Sequence, residues 1–270
     1  MIEAKIILDS ISPDGIRLTT FELKFHRFEL ASLNTHRIMS KNSSSNRAIP
    51  NSKVLKEILY DLAWPVFWGK NKAGMQANEE LTGIKLVLVK GIWKVASIIA
   101  VGLSYTLSKL GLHKQLCNRL IEPFAWTRTI LTATELDNFF TLRCHKAAQY
   151  EIKMLAELMR DEYNRSIPTR LDYNEWHLPY MTSKEKETLS LEECQKISVA
   201  RCARVSYLNH DGKQTSKEKD FELYDRLVGS NPRHYSPLEH QATPMKGKKF
   251  FKNFRGWKSY RAFDEENLRN

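Results

Sequence analysis

The chain is poor in the features that would settle a function at once. Its four cysteines, Cys117, Cys144, Cys194 and Cys202, form no CxxC pair, so neither a zinc ribbon nor a disulfide framework is indicated. Reduced thiols in a cytoplasmic protein are the expectation. GxGxxG, the P-loop pattern GxxxxGK and HExxH are all absent, which leaves no dinucleotide fingerprint, phosphate loop or zinc-protease helix. No cysteine stands in the setting of an activated nucleophile. The first residues, MIEAKIILDSISPDG, lack a basic start followed by a long apolar run, so no secretory signal is expected. Ile84 to Leu107 is interrupted by Lys85, Lys90 and Lys94, and the run that follows falls short of the ~20 residues a membrane span needs. A helix packed against the rest of the protein is expected there, and no membrane partner. Acidic residues are outnumbered, 31 against 42 basic ones, for a net charge of +11. That favours anionic partners without choosing among nucleic acid, a membrane surface and phosphorylated ligands.

What is present is enough apolar residue for one sizeable core, 42% of 270 positions. Ile16 to Phe25 alternates and reads as a strand. His26 to Met39 reads as a helix leading into a turn, and Ser40 to Pro50 as a polar loop. Ser52 to Trp64 looks helical up to Pro65, WGKNKAGMQ is a loop, and helix returns from Glu79. One long helix is expected from Thr134, as its cap, to about Tyr163. Leu136, Phe140, Ala147, Met154 and Leu158 would share one face. Ser190 to Val199 starts with a capping box at Ser190 and Glu193. ARVSYLN is strand-like, Phe221 to Val228 helical, and NPRHYSPLEH a loop. No internal repeat is visible. The mixture implies an α+β fold, with an antiparallel-rich sheet and long helices.

Four clusters could carry chemistry. In the first, His36, Arg37, Ser40, Asn42, Ser43, Ser44, Ser45 and Arg47 stand close together. Guanidinium forks and hydroxyls suit phosphate oxygens, although a flexible Ser/Asn linker would look the same. The second is Arg143, at helical spacing from Phe139, Phe140 and Ala147; a guanidinium on that face needs a ligand or a structural ion-pair partner. The third, His234 to His240, lacks metal spacing; a hydrogen-bonding loop at a pocket rim is expected, with no metal. The fourth, Lys246 to Arg261, interleaves basic and aromatic residues. It is expected as a partly buried strand or helix, the alternative being a single-strand nucleic-acid platform.

Together these residues resemble the flavin-dependent thymidylate synthases, whose signature is R-H-R-x-x-S-x-N-x-x-S-x-R. His36, Arg37, Ser40, Asn42, Ser45 and Arg47 match it, and Thr35 replaces its first Arg. Asn138-Phe139 with Leu142-Arg143 matches N-F-x-x-L-R, and Ala148-Gln149 with Glu151-Ile152 matches A-Q-x-E-I. Ala203 to Tyr207 is A-R-V-S-Y, and His234 to His240 is H-x-S-P-x-E-H. In common members the last two precede the His-Arg signature, so the order resembles a circularly permuted, phage-type member acting in a host cytoplasm. One catalytic domain over 1–270 is expected, with a helical insertion at about 51–111.

The resemblance implies methylation of dUMP to dTMP, with carbon from methylenetetrahydrofolate and hydride from FAD recharged by NADPH. It implies a homotetramer with shared active sites and no nucleic-acid partner. Arg143 would be the catalytic residue at the uracil edge. Ser32, Thr35, Ser43, Ser44, Ser45, Asn46, Arg47, Arg119 and Arg143 would bind substrate. Thr35, His36, Arg37, Ser43, Thr132, Ala133, Thr134, Asn138 and Ser236 would contact FAD. Thr35, Ser43 and Ala147 depart from the residues usual at their positions. Two other readings remain: a nucleic-acid-binding protein using the basic tail, and a homologue that binds nucleotide without catalysis.

Overall fold

The computed structural model describes residues 1–205 and 216–268. It opens with β1 (Glu3–Ile11) and β2 (Arg17–His26), joined by a tight turn in which Gly15 N–H donates to Ser12 O and Gly15 takes φ +76°. A glycine is favoured there because a Cβ would crowd the left-handed backbone. Then come α1 (Leu30–Asn34), β3 (Ser40–Ser43), α2 (Asn51–Tyr60), α3 (Gly83–Lys109), α4 (Lys114–Leu120) and β4 (Trp126–Ala133). After these lie α5 (Asp137–Arg143), α6 (Tyr150–Arg165), β5 (Thr169–Arg170), α7 (Ser183–Thr188), α8 (Leu191–Arg204) and α9 (Lys217–Val228). The chain closes with β6 (Ala242–Pro244), β7 (Phe250–Phe251), β8 (Phe254–Arg255), β9 (Trp257–Ser259) and α10 (Tyr260–Asn267). The fold is α+β.

The organising element is a five-stranded sheet in the order β3-β4-β2-β1-β5, antiparallel except where β5 runs parallel to β1. Phe21, Leu23 and Phe25 alternate along β2 onto one face, where Ile152, Leu155, Ala156 and Met159 of α6 cover them. This is the period-2 pattern meeting the period-3.6 pattern. The opposite face is buried as well, but by polar pairing. Thr20 bonds His177 and Thr132, Tyr180 bonds the Glu22 carboxylate, and Thr132 bonds His240. His177 and His240 have no exposed surface, and burial holds each imidazole down to about 3, hence neutral.

Several expected elements differ. The single helix from Thr134 is two helices, broken at 144–149 by a turn in which His145 O and its Nδ1 accept from Ala148 N–H and Ala147 N–H. Thr134 does not cap it; its hydroxyl accepts from Arg255 N–H, and Leu136 takes the N-cap position. The break shifts the phase, so Ala147 and Met154 are exposed while Ile152 and Leu155 are buried. Ser40 to Ser43 is an edge strand rather than loop, since Thr129–Thr132 offers it a ladder. α2 stops at Tyr60, before Pro65, and helix resumes only at Gly83. Ala203 and Arg204 end α8 instead of forming a strand, and Ser206 to Asn209 lie outside the described residues. The Ser190 capping box forms as expected. The tail buries Phe254 and Trp257, so the aromatic platform for stacking bases loses two of its rings to the core.

α3 departs most. Its 27 residues are long and apolar enough by length and composition to cross a membrane, contrary to the short run read from the sequence. It packs on α2 and α4 along one stripe, with Ser97, Val101 and Ser104 buried. Its outer face, from Ile84 through Leu88, Ile92, Val95 and Ile99 to Leu103, is more than half exposed at each of these side chains.

Candidate active site

β3 positions the site. Its register, Ser40 opposite Thr132 and Asn42 opposite Ile130, turns Ser40 and Asn42 inward. Asn42 Nδ2 donates to Cys202 O at 3.0 Å, and Ser236 Oγ lies 3.4 Å from Asn42 Oδ1. Segments nearly two hundred residues apart therefore meet on one asparagine. After β3 the chain stays tied to β4: Ser43 and Ser44 hydroxyls pair with those of Thr129 and Thr127, each at 2.8 Å. It then turns tightly, Ala48 and Ile49 N–H both donating to Ser45 O. Asn118 of α4 clamps that turn by donating to Asn46 O and Ile49 O. Asn46 bonds Glu122, and Arg47 extends from the turn into solvent.

These residues border a cavity of about 700 Å³, lined by Asn42, Ser43, Ser45 and Arg47 and closed by His113–Gln115, His234 and Ser236. Among the described residues, no acidic side chain lines it. It is a polar, cationic cavity of ligand size, suited to an anion.

Arg143 belongs to a second cluster. Its Nε donates to His36 Nε2 at 3.0 Å and an Nη to Thr35 Oγ1 at 3.2 Å. An accepting Nε2 requires a neutral imidazole with its proton on Nδ1. Burial, then the charges of Arg143 and Lys41, lower the His36 pKa and keep it neutral. His36 also stands edge-on to Phe139, ring centres 4.9 Å apart. Lys41 donates to Leu33 O and His36 O, pinning the turn that carries Thr35 and His36; burial pulls its ammonium down to about 8. Glu29 lies beneath, 2% exposed, with one carboxylate oxygen unpaired; burial raises its pKa.

A family model described as Thymidylate synthase complementing protein matches residues 17–169. The chain belongs to this family. Among solved structures, the UMP/dUMP methylase PolB from Streptomyces cacaoi bound with 5-Br UMP aligns with a TM-score of 0.50 at 16% identity, covering 61% of this chain and 89% of that one. The same methylase bound with 5-Br dUMP gives 0.47 at 16% identity, over 61% and 90%. At such identity the likeness is one of fold. No curated protein matches the chain. The family match ends before Ala203 and His234, yet the fold brings both segments onto β3 and β4.

The residues expected at the site thus fall into two groups. Ser43, Ser45, Arg47 and Ser236 line the large cavity; Thr35, His36 and Arg143 do not, and join one another instead. Arg37 and Asn138 are exposed, and Ser32 is half-buried beside Glu29. Thr132 and Ala133 are buried within β4, and Ser44 is buried against β4. Arg119 is exposed on α4 outside the cavity lining. Sequence reasoning missed His113, Lys114 and Gln115. No motif contains them, and only their place between α3 and the buried Cys117 and Asn118 brings them to the wall.

Proposed function

We propose that the chain is a flavin-dependent thymidylate synthase that converts dUMP to dTMP, using methylenetetrahydrofolate and NADPH. The observation that carries this reading is the meeting of distant segments on Asn42 of the His-Arg signature, which bonds Cys202 O, one residue before A-R-V-S-Y, and faces Ser236 of H-x-S-P-x-E-H. Family membership supports methylation of a uridine nucleotide as the reaction class.

In this reading Arg47 and the Ser43–Asn46 turn hold the nucleotide, and Arg143 faces the uracil edge. A guanidinium there stabilises negative charge on the N3–carbonyl edge, which makes C5 a better nucleophile. His36 and Thr35 fix that guanidinium through two of its donors, leaving others for ligand. FAD, when bound, supplies the hydride that completes the new methyl group. Arg37 and Asn138 are exposed, and in this reading their donors, with His36, serve a diphosphate-bearing cofactor. Thr35 offers a hydroxyl where the family pattern has a cation, so Arg37 carries more of that load.

A single chain keeps Arg143 and Arg47 apart, and a homotetramer would join them across copies. The outer face of α3 supports such assembly. Six large apolar side chains there, from Ile84 to Leu103, are each more than half exposed, a continuous face of the kind that soluble monomers rarely leave open. α3 also packs on α4, whose Lys114 borders the cavity, so a copy docked there lies beside the site. We further read the motif order as a circular permutation within one domain over 1–270.

The purified protein is expected to take up FAD and turn yellow, and dUMP is expected to perturb the flavin absorbance. A protein that stays colourless with FAD supplied contradicts the proposal.

A further inference from the structure

α4 begins at Lys114, a residue to which no motif gives a role. Its Nζ donates to Ala48 O at 3.0 Å, the residue next to Arg47, and both Lys114 and Arg47 line the large cavity. We propose that Lys114 is a phosphate-binding residue of the nucleotide site, acting with Arg47 on one phosphate monoester; this rests on the nucleotide reading above.

Four observations converge on it. First, the described lining holds Arg47 and Lys114, with His113 and His234, and among the described residues no carboxylate borders it. Second, neither Lys114 nor Arg47 has an ion-pair partner among the described residues. An ammonium has three donors, of which Ala48 O takes one and two remain for an anion. Third, the backbone of the turn bearing Arg47 is fixed from α4 by Lys114 and Asn118 together, so the Arg47 and Lys114 side chains start from one fixed frame. A fixed frame, with the Lys114 ammonium already held at Ala48 O, lowers the ordering cost of closing both side chains on a dianion. Fourth, helix geometry separates Lys114 from Arg119. Five residues turn an α-helix by roughly 500°, or ~140° net. The two therefore point to different sides of α4, and only Lys114 reaches this cavity.

The competing role for Lys114 is a mere brace for the Ala48 carbonyl. A brace would affect every ligand of the cavity alike, whereas a phosphate contact affects only ligands that carry phosphate. The test titrates the full-length protein with dUMP and with deoxyuridine, and measures inorganic phosphate as a competitor of dUMP. Parent, Lys114→Met, Lys114→Arg and the exposed control Lys248→Gln are compared, with thermal melts to establish folding. Loss of one charge-assisted contact predicts dUMP and phosphate affinity reduced roughly 10- to 100-fold in Lys114→Met. Deoxyuridine affinity stays within about twofold, Lys114→Arg recovers most of the loss, and Lys248→Gln changes nothing. Equal losses for dUMP and deoxyuridine, no loss of phosphate competition, or an equal loss in Lys248→Gln overturns the assignment. If Lys114→Met weakens all nucleoside monophosphates alike and the parent does not prefer uracil, Lys114 stands and the uridine reading falls. If the parent binds no nucleoside monophosphate, both fall.

Discussion

Arg143 holds its guanidinium against two acceptors on one turn, Thr35 and His36. The arrangement survives only while His36 is neutral. Its folded pKa is depressed, by burial first and by Arg143 second, so the contact is fully present above the ordinary histidine value and is lost as pH falls through the folded one. The His36 imidazole resonance should therefore titrate below 6.5, the unperturbed value. In Arg143→Ala the midpoint should rise only part of the way back, because burial remains. A midpoint at or above the ordinary value would show that Arg143 is not parked there. A second prediction concerns Gly256, at φ +64°, where an added Cβ would meet Ile16 Cδ1 at 2.4 Å and Gly247 O at 3.1 Å. Gly256→Ala is expected to cost about 1–3 kcal/mol by overpacking and backbone strain, read as a lowered midpoint in urea unfolding.

At the scale of elements, α3 presents a stripe to the protein and a wider apolar face to the outside. Ile92→Glu with Ile99→Glu should leave the helix and the rest of the chain folded while shifting sedimentation from oligomer to monomer. Unchanged sedimentation would remove α3 from the interface. The same helix shows where sequence reading stopped. Its helicity is legible in the sequence, whereas the lysines Lys85, Lys90 and Lys94 disguise the length of its apolar face, and which face packs depends on α2 and α4, which no local pattern reports. β2 was legible because one face alternates. The burial of its other face was not, since Thr20 and Glu22 look like solvent-facing residues until His177, Tyr180 and His240 arrive from far along the chain. β3 looks like a loop in the sequence because four polar residues carry no period. Thr129–Thr132 makes it a strand, which is a tertiary cause. The break at 144–149 was hidden for the opposite reason: its residues are good helix formers overridden by a local turn.

Across the whole molecule, two buried neutral histidines and a salt-bridged Glu185 set the response to acid. His177 and His240 are held at about 3 by burial. The unfolded chain therefore binds protons below the ordinary histidine value that the folded one refuses, and stability falls as pH drops from about 6.5. Glu185, held at about 2 chiefly by its hydrogen bonds with Arg201, adds a loss beginning near the ordinary carboxylate range and running down to its folded value. Each uncompensated proton contributes up to about 1.4 kcal/mol per pH unit. Thermal midpoints should decline between pH 7 and pH 5, and His240→Gln should flatten that decline. A midpoint constant over the range would contradict the buried-histidine account. On this scale the motif residues of the site were legible as chemistry, and their division was not. Arg47 and Arg143 appeared as parts of one site in the linear order, whereas the fold gives one to the large cavity and the other to the His36 turn.

The central claim is that Arg143 activates C5 of the dUMP ring. Release of tritium from 5-labelled dUMP reads that step directly, with FAD, NADPH and methylenetetrahydrofolate supplied. The account predicts release by the parent and a fall of roughly 100- to 1,000-fold in Arg143→Ala, with Arg143→Lys recovering only part because it keeps the charge and loses the fork. No release from a flavin-loaded parent, or undiminished release from Arg143→Ala, would contradict it.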